Sequence, residues 1–250
     1  MTRVLVTRAE PEAWATAKLL RARGYQPLIA PLTKIEPLEA GLARLATMQQ
    51  AGLVLATSAR ALDALEAYGL NAWAAGQRWA VVGERAADRV RTLGGALAGP
   101  PTQSVSALID VLRGLAAVGP MLYLAAEDRR PELEQTFVDM KVCVVYAARA
   151  TGGFDDGAQK MLVETPPQAG LLYSRRSATL LAEAFALLAG DVADQTIQTD
   201  QTIQWLCLSE DVAEAARTAG LAKAEALHVA QAPTQEALFV CLDRFFAVKP

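Results

Sequence analysis

The stretch LVLATSAR at residues 53–60 passes from a short apolar run through two hydroxyl residues, as a buried strand does when it turns into a helix. LLYSRRS at residues 171–177 has the same form. Each stretch is followed by an apolar run that opens with tryptophan, WAVVGE at 79–84 and WLCLSE at 205–210, and then by Pro-Thr-Gln at 101–103 and 233–235. The shared order of landmarks indicates a unit used twice, at 53 to about 112 and 171 to about 242.

Two shorter segments accompany the repeated units. Each is predicted as strand, helix and strand, at 4–6, 11–24 and 27–30 in one segment and at 121–124, 131–140 and 142–146 in the other. The apolar face of the first of these helices is predicted to consist of Trp14, Ala17, Leu19 and Leu20. Strands that alternate with helices in this way favour an α/β fold with parallel sheets flanked by helices.

The order of these segments predicts two similar lobes. One short segment precedes both repeated units and the other lies between them, so the simplest arrangement builds one lobe from residues 1–33 and 152–250 and inserts a second lobe at 38–145. The chain then crosses between lobes at 34–37 and 146–151. We expect these connections to pair as a two-stranded antiparallel linker beside a cleft between the lobes.

Composition excludes several classes of function. The net charge of −3 and the 6% aromatic content give no basic or stacking surface for nucleic acid. No apolar run approaches the roughly 18 residues of a membrane span, and no signal segment precedes Val4, so a cytoplasmic protein is expected. The three cysteines are far apart in apolar segments, as expected of buried free thiols in a reducing compartment rather than of metal ligands.

Polar residues follow the predicted strands where a parallel sheet binds its ligands, at the carboxyl ends. The candidates are Thr7, Arg8, Thr57, Ser58, Arg60, Gly83, Ser104, Ser174, Arg175, Ser209 and Thr234. Hydroxyls, arginines and the N–H groups of helix N-termini are suited to carboxylate or phosphate. For any one of Ser58, Ser104, Ser174 and Thr234, a helix cap worth about 1 kcal/mol is the better explanation. The whole set facing one cleft favours the binding of a polyanion.

Other chemistries lack their motifs. The sequence has neither a dinucleotide-binding glycine motif nor a phosphate-binding loop, and it has no nucleophile elbow. The only histidine, His228, lies in a predicted strand and is expected to be structural. A tandem Asp-Gln-Thr-Ile-Gln at 194–204 is interpreted as a duplication that lengthens a loop.

Tyr146 is the candidate proton donor. It follows the apolar run 142–145, where the chain is predicted to leave the inserted lobe. A phenol with an ordinary pKa near 10 is protonated at neutral pH, so its natural role is that of an acid. An amphipathic tyrosine that seals the edge of the lobe explains the same position.

Five short motifs in their order and spacing resemble the uroporphyrinogen-III synthase family over nearly the whole chain. They are VLVTR at 4–8, TSARA at 57–61, VVG at 81–83, VY at 145–146 and AQAPTQEAL at 230–238. The resemblance implies two α/β lobes joined by a two-stranded ladder, which agrees with the layout above. It also places the favoured acid in the Val-Tyr motif, and so at Tyr146.

The resemblance implies an enzyme that needs no cofactor. Its substrate is hydroxymethylbilane, a linear tetrapyrrole with eight carboxylate side chains. The enzyme removes water, inverts the last ring through a spiro intermediate and closes the macrocycle to uroporphyrinogen III. A monomer is implied, with no nucleic-acid or membrane partner and with a transient handover of substrate from hydroxymethylbilane synthase.

The second copy departs further from the family pattern than the first. Glu210 and Asp211 follow Ser209 where the family usually has threonines, whereas the first copy keeps Thr57-Ser58 and Gly83. We therefore expect Ser58 to contribute more to substrate binding than Ser209. Two other functions remain open from the residues alone: a non-catalytic two-lobe binding protein for a small polyanion, and a flavin or nucleotide carrier of flavodoxin-like fold.

Overall fold

A computed structural model of the chain describes residues 1–48, 51–114, 119–191 and 203–246. The strands are β1 Arg3–Val6, β2 Gln26–Ile29, β3 Thr33–Pro37, β4 Leu53–Ala56, β5 Arg78–Val81, β6 Ala96–Leu97, β7 Met121–Ala126, β8 Lys141–Ala150, β9 Ala169–Leu172, β10 Gln204–Cys207 and β11 Leu227–Val229. The helices are α1 Glu12–Ala22, α2 Glu39–Ala46, α3 Ala59–Ala67, α4 Asn71–Ala75, α5 Glu84–Thr92, α6 Val105–Gly114, α7 Glu132–Thr136, α8 Asp156–Glu164, α9 Arg175–Asp191, α10 Glu210–Thr218 and α11 Gln235–Phe246. The predicted alternation of strands and helices is confirmed.

The contacts between residues divide the chain into two compact units. Unit 1 consists of Met1–Lys34 and Arg149–Pro250, and unit 2 consists of Ile35–Ala148. The strands β3 and β8 each extend across a boundary between the units. They are neighbours in a sheet. The N–H of Leu38 donates to Val145 O at 2.9 Å and the N–H of Thr151 donates to Leu32 O at 3.2 Å, so the partner number falls as the residue number rises, as in antiparallel pairing.

Unit 1 contains a five-stranded sheet in the order β11-β10-β9-β1-β2, and each adjacent pair is parallel. Unit 2 contains a six-stranded sheet in the order β3-β8-β7-β4-β5-β6, in which the pairs from β8 to β6 are parallel. The repeated units become β4-β5-β6 and β9-β10-β11. The short segments become β7-β8 and β1-β2 and lie beside the first strand of each repeat. Equivalent strands therefore have equivalent neighbours in the two sheets. In unit 1 the short segment comes first along the chain, and in unit 2 the repeated unit comes first.

Apolar side chains cover both faces of each sheet, because the central strands are apolar over most of their length. In unit 1, Leu5 packs in one cluster with Leu172 and Trp205, and its neighbours Val4 and Val6 pack in the opposite cluster. In unit 2, Val54 and Ala56 pack against α3 and α5, and Leu53 and Leu55 pack against α6. This two-sided burial is what a parallel sheet between helix layers requires.

Three local predictions are wrong. Trp14 and Leu19 are 52% and 44% exposed, and the buried face of α1 is formed by Ala13, Thr16, Ala17 and Leu20. The helix predicted at 131–140 is only the five residues of α7. Tyr146 does not end its strand, since β8 continues to Ala150, although its parallel pairing with β7 ends there. Of the duplicated stretch at 194–204, only Ile203 and Gln204 lie within the described residues.

His228 has the structural role that the sequence predicts. It lies in β11, its Nε2 is 2.7 Å from Gln204 Oε1, and its ring is 3.8 Å from the Phe245 ring between centroids. Burial lowers the pKa of His228 below its ordinary value near 6.5. The imidazole is therefore held neutral in the folded chain.

This lowered pKa predicts a pH-dependent stability. Unfolded His228 takes up a proton near pH 6.5, whereas the folded chain resists protonation to a lower pH. Its contribution is complete above pH 6.5 and is lost as the pH falls through the folded-state pKa. We expect His228→Gln to reduce the fall in unfolding free energy between pH 7 and pH 5, measured by urea denaturation. An equal fall in both proteins would contradict this.

Candidate active site

Each sheet has a point at which the chain changes direction across the sheet. In unit 2 the chain goes from β4 to β5 and β6 on one side, and then returns to β7 and β8 on the other side. In unit 1 it goes from β1 to β2, and later from β9 to β10 and β11 in the opposite direction. Crevices at the carboxyl ends of the strands flanking such points are where open parallel sheets bind ligands.

In unit 2 four hydroxyl side chains meet at this edge. Thr57 follows β4, and its Oγ1 lies 2.9 Å from the Oη of Tyr123 on β7. Ser58, the residue after Thr57, lies near enough to Tyr146 on β8 for its side chain to lower the pKa of the phenol. Tyr123 and Tyr146 are 3% and 9% exposed. The edge therefore presents two nearly buried phenols, each beside one hydroxyl from the turn after β4.

The electrostatic setting keeps both phenols protonated. Burial raises the pKa of Tyr146 above its ordinary value near 10, the interaction with the Ser58 side chain opposes the rise, and ionisation of Tyr123 at high pH would add to it. Burial likewise raises the pKa of Tyr123, against the effect of its hydrogen bond to Thr57. At neutral pH each phenol is a proton donor and not a base.

Several predicted binding hydroxyls cap helices. The Oγ of Ser58 accepts from Arg60 N–H at 3.2 Å, and the Oγ of Ser104 accepts from Ala107 N–H at 3.1 Å. Thr234 Oγ1 accepts from Ala237 N–H at 3.2 Å. Helix capping thus accounts for one hydrogen bond of each side chain, and it leaves the other capacity of each hydroxyl open to a ligand.

Ser174 and Ser177 cap α9 reciprocally. The Oγ of Ser174 accepts from Ser177 N–H at 3.0 Å, while Ser177 Oγ accepts from Ser174 N–H at 3.1 Å. Arg175, the first residue of α9, is exposed. Ser209 precedes α10, and its side chain makes no capping hydrogen bond to that helix.

Gly83 and Arg60 complete the predicted set in unit 2. Gly83 adopts a φ of 83° before α5, a backbone conformation that favours glycine. Its own N–H donates to Thr102 O at 2.8 Å, so that amide is already paired within the fold. Arg60 is half-buried in the first turn of α3.

In unit 1 the same edge carries a cationic cluster. Arg8 follows β1 and Tyr173 follows β9, so both flank the point where the chain changes direction. The Arg8 guanidinium lies 4.1 Å from the centroid of the Tyr173 ring. Arg8 Nη1 donates to Gln235 Oε1 at 2.9 Å and to Thr16 Oγ1 at 3.3 Å. Thr7, the residue before Arg8, is 3% exposed and offers little surface to a ligand.

Four members of these clusters were not predicted from sequence. They are Thr16, Tyr123, Tyr173 and Gln235. Gln235 belongs to the repeated Pro-Thr-Gln landmark and Tyr173 lies within the repeated stretch, so both positions were visible as part of a pattern. Thr16 and Tyr123 lie inside a helix and a strand, where nothing in the sequence marks a polar side chain as part of an edge.

In the part of the chain that the structure describes, His, Cys, Asp and Glu residues do not cluster in groups of three or more that could hold a metal ion. None of the described helices has the length and apolarity that a membrane crossing requires.

Comparison with known proteins is consistent with this arrangement. The family model described as uroporphyrinogen-III synthase HemD matches residues 15–240. A crystal structure of a mutant uroporphyrinogen III synthase from the extremely thermophilic bacterium Thermus thermophilus shares the fold, with 18% identity over 98% of this chain and 97% of that chain and a TM-score of 0.50. The wild-type protein from that bacterium gives 18% identity over 98% and 96% of the two chains and a TM-score of 0.43. No curated protein sequence matches the chain.

Proposed function

This chain belongs to the uroporphyrinogen-III synthase family, and from that premise we propose that it cyclises hydroxymethylbilane to uroporphyrinogen III with Tyr146 as the proton donor. The reaction removes water from the hydroxymethyl group, inverts the last ring and closes the macrocycle. It belongs to tetrapyrrole biosynthesis. The non-catalytic binding protein and the flavin carrier are not favoured, because the family match extends over nearly the whole chain.

The observation that carries the role of Tyr146 is the position of its nearly buried phenol at the carboxyl-end edge of the unit 2 sheet. Its side chain lies where the parallel pairing of β8 with β7 ends, beside Ser58. In the proposed step Tyr146 Oη gives its proton to the leaving hydroxyl, the carbon–oxygen bond breaks and water departs. The pyrrole nitrogen of the substrate stabilises the cation that remains. A proton released on ring closure restores the phenol.

Ser58 supports this step by stabilising the transient phenolate. Burial disfavours the charged form of Tyr146, and the interaction with the Ser58 side chain works in the opposite direction. Most of the remaining work is positional, because the two ends of a flexible linear substrate must be held together while the ring closes.

The carboxylates of the substrate are bound, in this proposal, by the residues at the carboxyl ends of the strands. The proposed set is Arg8, Thr57, Ser58, Arg60, Gly83, Ser104, Ser174, Arg175, Ser209 and Thr234. Helix N-termini attract carboxylates through their N–H groups and dipoles. This mode of binding suits a polyanion without a strongly basic protein, in keeping with the net charge of −3.

Turnover number separates catalysis from binding. We expect one mole of protein to convert many moles of hydroxymethylbilane, measured by following disappearance of the bilane at a large molar excess over protein and comparing it with the spontaneous rate. Heat-denatured protein is the control. A protein that slowed spontaneous closure in a stoichiometric manner would be a binding protein, and the enzymatic proposal would fail.

The two repeats are expected to contribute unequally to substrate binding. Ser58 accepts a hydrogen bond from Arg60 N–H and lies beside Tyr146, whereas Ser209 does not cap α10 and precedes two acidic residues. We expect Ser58→Ala to raise the KM for hydroxymethylbilane several-fold and Ser209→Ala to change it by less than twofold. Steady-state kinetics of the two variants check this, and a larger effect at Ser209 would contradict it.

We also propose that the protein acts as a cytoplasmic monomer that receives its substrate by transient handover from hydroxymethylbilane synthase. The buried free thiols Cys143, Cys207 and Cys241 are compatible with a reducing compartment. Light scattering of the purified protein tests the monomer. Handover predicts that the coupled enzymes form less isomer I than the same protein supplied with free bilane, and an equal amount would exclude it.

A further inference from the structure

Arg8 is a half-buried cation with neutral partners. Within the described residues, its hydrogen bonds go to the amide oxygen of Gln235 and the hydroxyl of Thr16, and its guanidinium stacks on the Tyr173 ring. Both hydrogen bonds use Nη1. The described residues supply no carboxylate partner to Arg8. The cluster fixes the plane of the guanidinium and leaves its positive charge uncompensated.

Arg3 is also half-buried and donates to a neutral partner, Pro166 O, at 2.8 Å, whereas three other arginines pair with carboxylates. Arg23 pairs with Glu236 and Asp243, at 2.6 and 3.0 Å. Arg89 pairs with Asp63 and Glu66, at 2.7 and 2.5 Å, and Arg129 pairs with Glu134 at 2.5 Å. In those pairs a carboxylate of the chain itself neutralises the guanidinium, as in a structural ion pair. Burying part of a guanidinium without a counter-ion costs free energy, which a ligand carboxylate would recover.

Gln235 is the residue on which the Arg8 cluster depends. Its Oε1 also lies 3.4 Å from Thr16 Oγ1 and 3.3 Å from Tyr173 Oη, and both hydroxyls donate to it. One amide oxygen therefore joins side chains from the turns after β1 and β9, from α1 and from α11. Thr234 holds Gln235 in place by capping the helix that Gln235 opens.

We propose that Gln235 is a positioning residue that orients Arg8 for a carboxylate side chain of the substrate. The amide oxygen of Gln235 is neutral, so the positive charge of Arg8 remains available to pair with that carboxylate. This inference rests on the proposed function. The site lies at the carboxyl ends of β1 and β9, where an open parallel sheet binds its ligand. A glutamate at position 235 would have nearly the same shape, but it would form an internal ion pair with Arg8.

The test is therefore Gln235→Glu, a change of charge with little change of shape. We expect the KM for hydroxymethylbilane to rise about tenfold while kcat at saturating substrate stays within twofold of wild type. The folded state should be at least as stable, because a new internal ion pair forms. Gln26→Glu is the matched control, since it adds the same charge to unit 1 at the amino end of β2, and it should leave KM unchanged.

A double-variant cycle separates positioning from a general structural effect. In an Arg8→Ala background, Gln235→Glu should raise KM by less than twofold, because the cation that it neutralises is gone. Rescue by Gln235→Asn is not expected, since the shorter side chain does not reach Arg8. Equal effects of Gln235→Glu with and without Arg8, or a KM within twofold of wild type, would overturn the inference.

Equilibrium binding of uroporphyrin III, the oxidised octacarboxylate form of the product, gives a readout independent of turnover. We expect Gln235→Glu to weaken its binding about tenfold, and unchanged binding would overturn the inference. A wild-type protein that failed to turn over the bilane would defeat the proposed function, and the uroporphyrin measurement would still decide whether Gln235 governs Arg8. If the wild-type protein turns over the bilane normally and Gln235→Glu changes neither KM nor the binding of uroporphyrin III, only this inference fails.

Discussion

Tyr146→Phe is expected to lower kcat for isomer III formation by roughly 10²-fold or more, within the ~10²–10⁴-fold that a general acid supplies. The variant keeps the ring that packs in unit 2 and loses only the hydroxyl that would protonate the leaving group. As enzymatic closure slows, spontaneous closure takes over, and the product shifts toward isomer I. The measurement is the initial rate of isomer III, with isomers separated after oxidation.

Tyr68→Phe provides the control, because Tyr68 lies at the end of α3 and is 40% exposed. It should retain wild-type rates. The pH profile adds a second criterion, since burial keeps the pKa of Tyr146 above its ordinary value near 10 and the acid stays protonated at neutral pH. Near-full turnover of Tyr146→Phe with an unchanged pH dependence would remove Tyr146 from the mechanism.

Gly41→Ala is expected to lower the unfolding free energy by about 3 kcal/mol or more, as severe overpacking does. A Cβ on Gly41 would lie 1.9 Å from Val144 O, a backbone atom of β8 that cannot move aside. Cys143 Sγ also donates to Gly41 O, at 3.3 Å, so α2 and β8 are in direct contact here. Tyr146 lies two residues beyond Val144, and displacement of β8 should therefore also reduce activity.

Urea denaturation followed by tryptophan fluorescence, to which the buried Trp79 of unit 2 contributes, measures the effect of Gly41→Ala. Gly114→Ala is the matched control, because its Cβ would meet no atom of the described residues within 4 Å and alanine is favoured over glycine in a helix by up to about 1 kcal/mol. Equal stability of the two variants would show that β8 can shift to accept the extra atom, contrary to the packing described here.

Most of the strands, in their order along the chain, could be predicted because the pattern that defines them is local and repeated. Runs such as 4–6 and 53–56 are apolar at every position, as only a strand buried on both faces requires. The landmarks recur in the same order, and the structure places both copies at equivalent positions of two sheets. The equivalence of the two repeated units in space could be inferred from the shared order of their landmarks in the sequence.

The partners of the site residues could not be predicted, because they depend on which strands become neighbours and on which way side chains point. The pairing of Thr57 with Tyr123 joins residues 66 positions apart, and Gln235 reaches Arg8 over 227 positions. The exposure of Trp14 has a similar cause. The small residues Ala13, Thr16 and Ala17 let α1 pack closely on the sheet, so the large apolar side chain was wrongly assigned to the buried face.

The two repeated units have diverged in chemistry while keeping their topology. In unit 2 the turn after β4 places Thr57 against the phenol of Tyr123 and Ser58 beside that of Tyr146. In unit 1 the equivalent turn after β9 supplies Tyr173, which stacks on Arg8. We interpret the first arrangement as a proton donor and the second as a carboxylate site, in accordance with the proposed cyclisation.

The identity of the product isomer tests the central claim most directly. Hydroxymethylbilane is supplied to a catalytic amount of wild-type protein, the products are oxidised, and the isomers are quantified against a reaction without protein. We predict that isomer III greatly exceeds isomer I. Isomer I alone, in the amount formed without protein, would contradict the account.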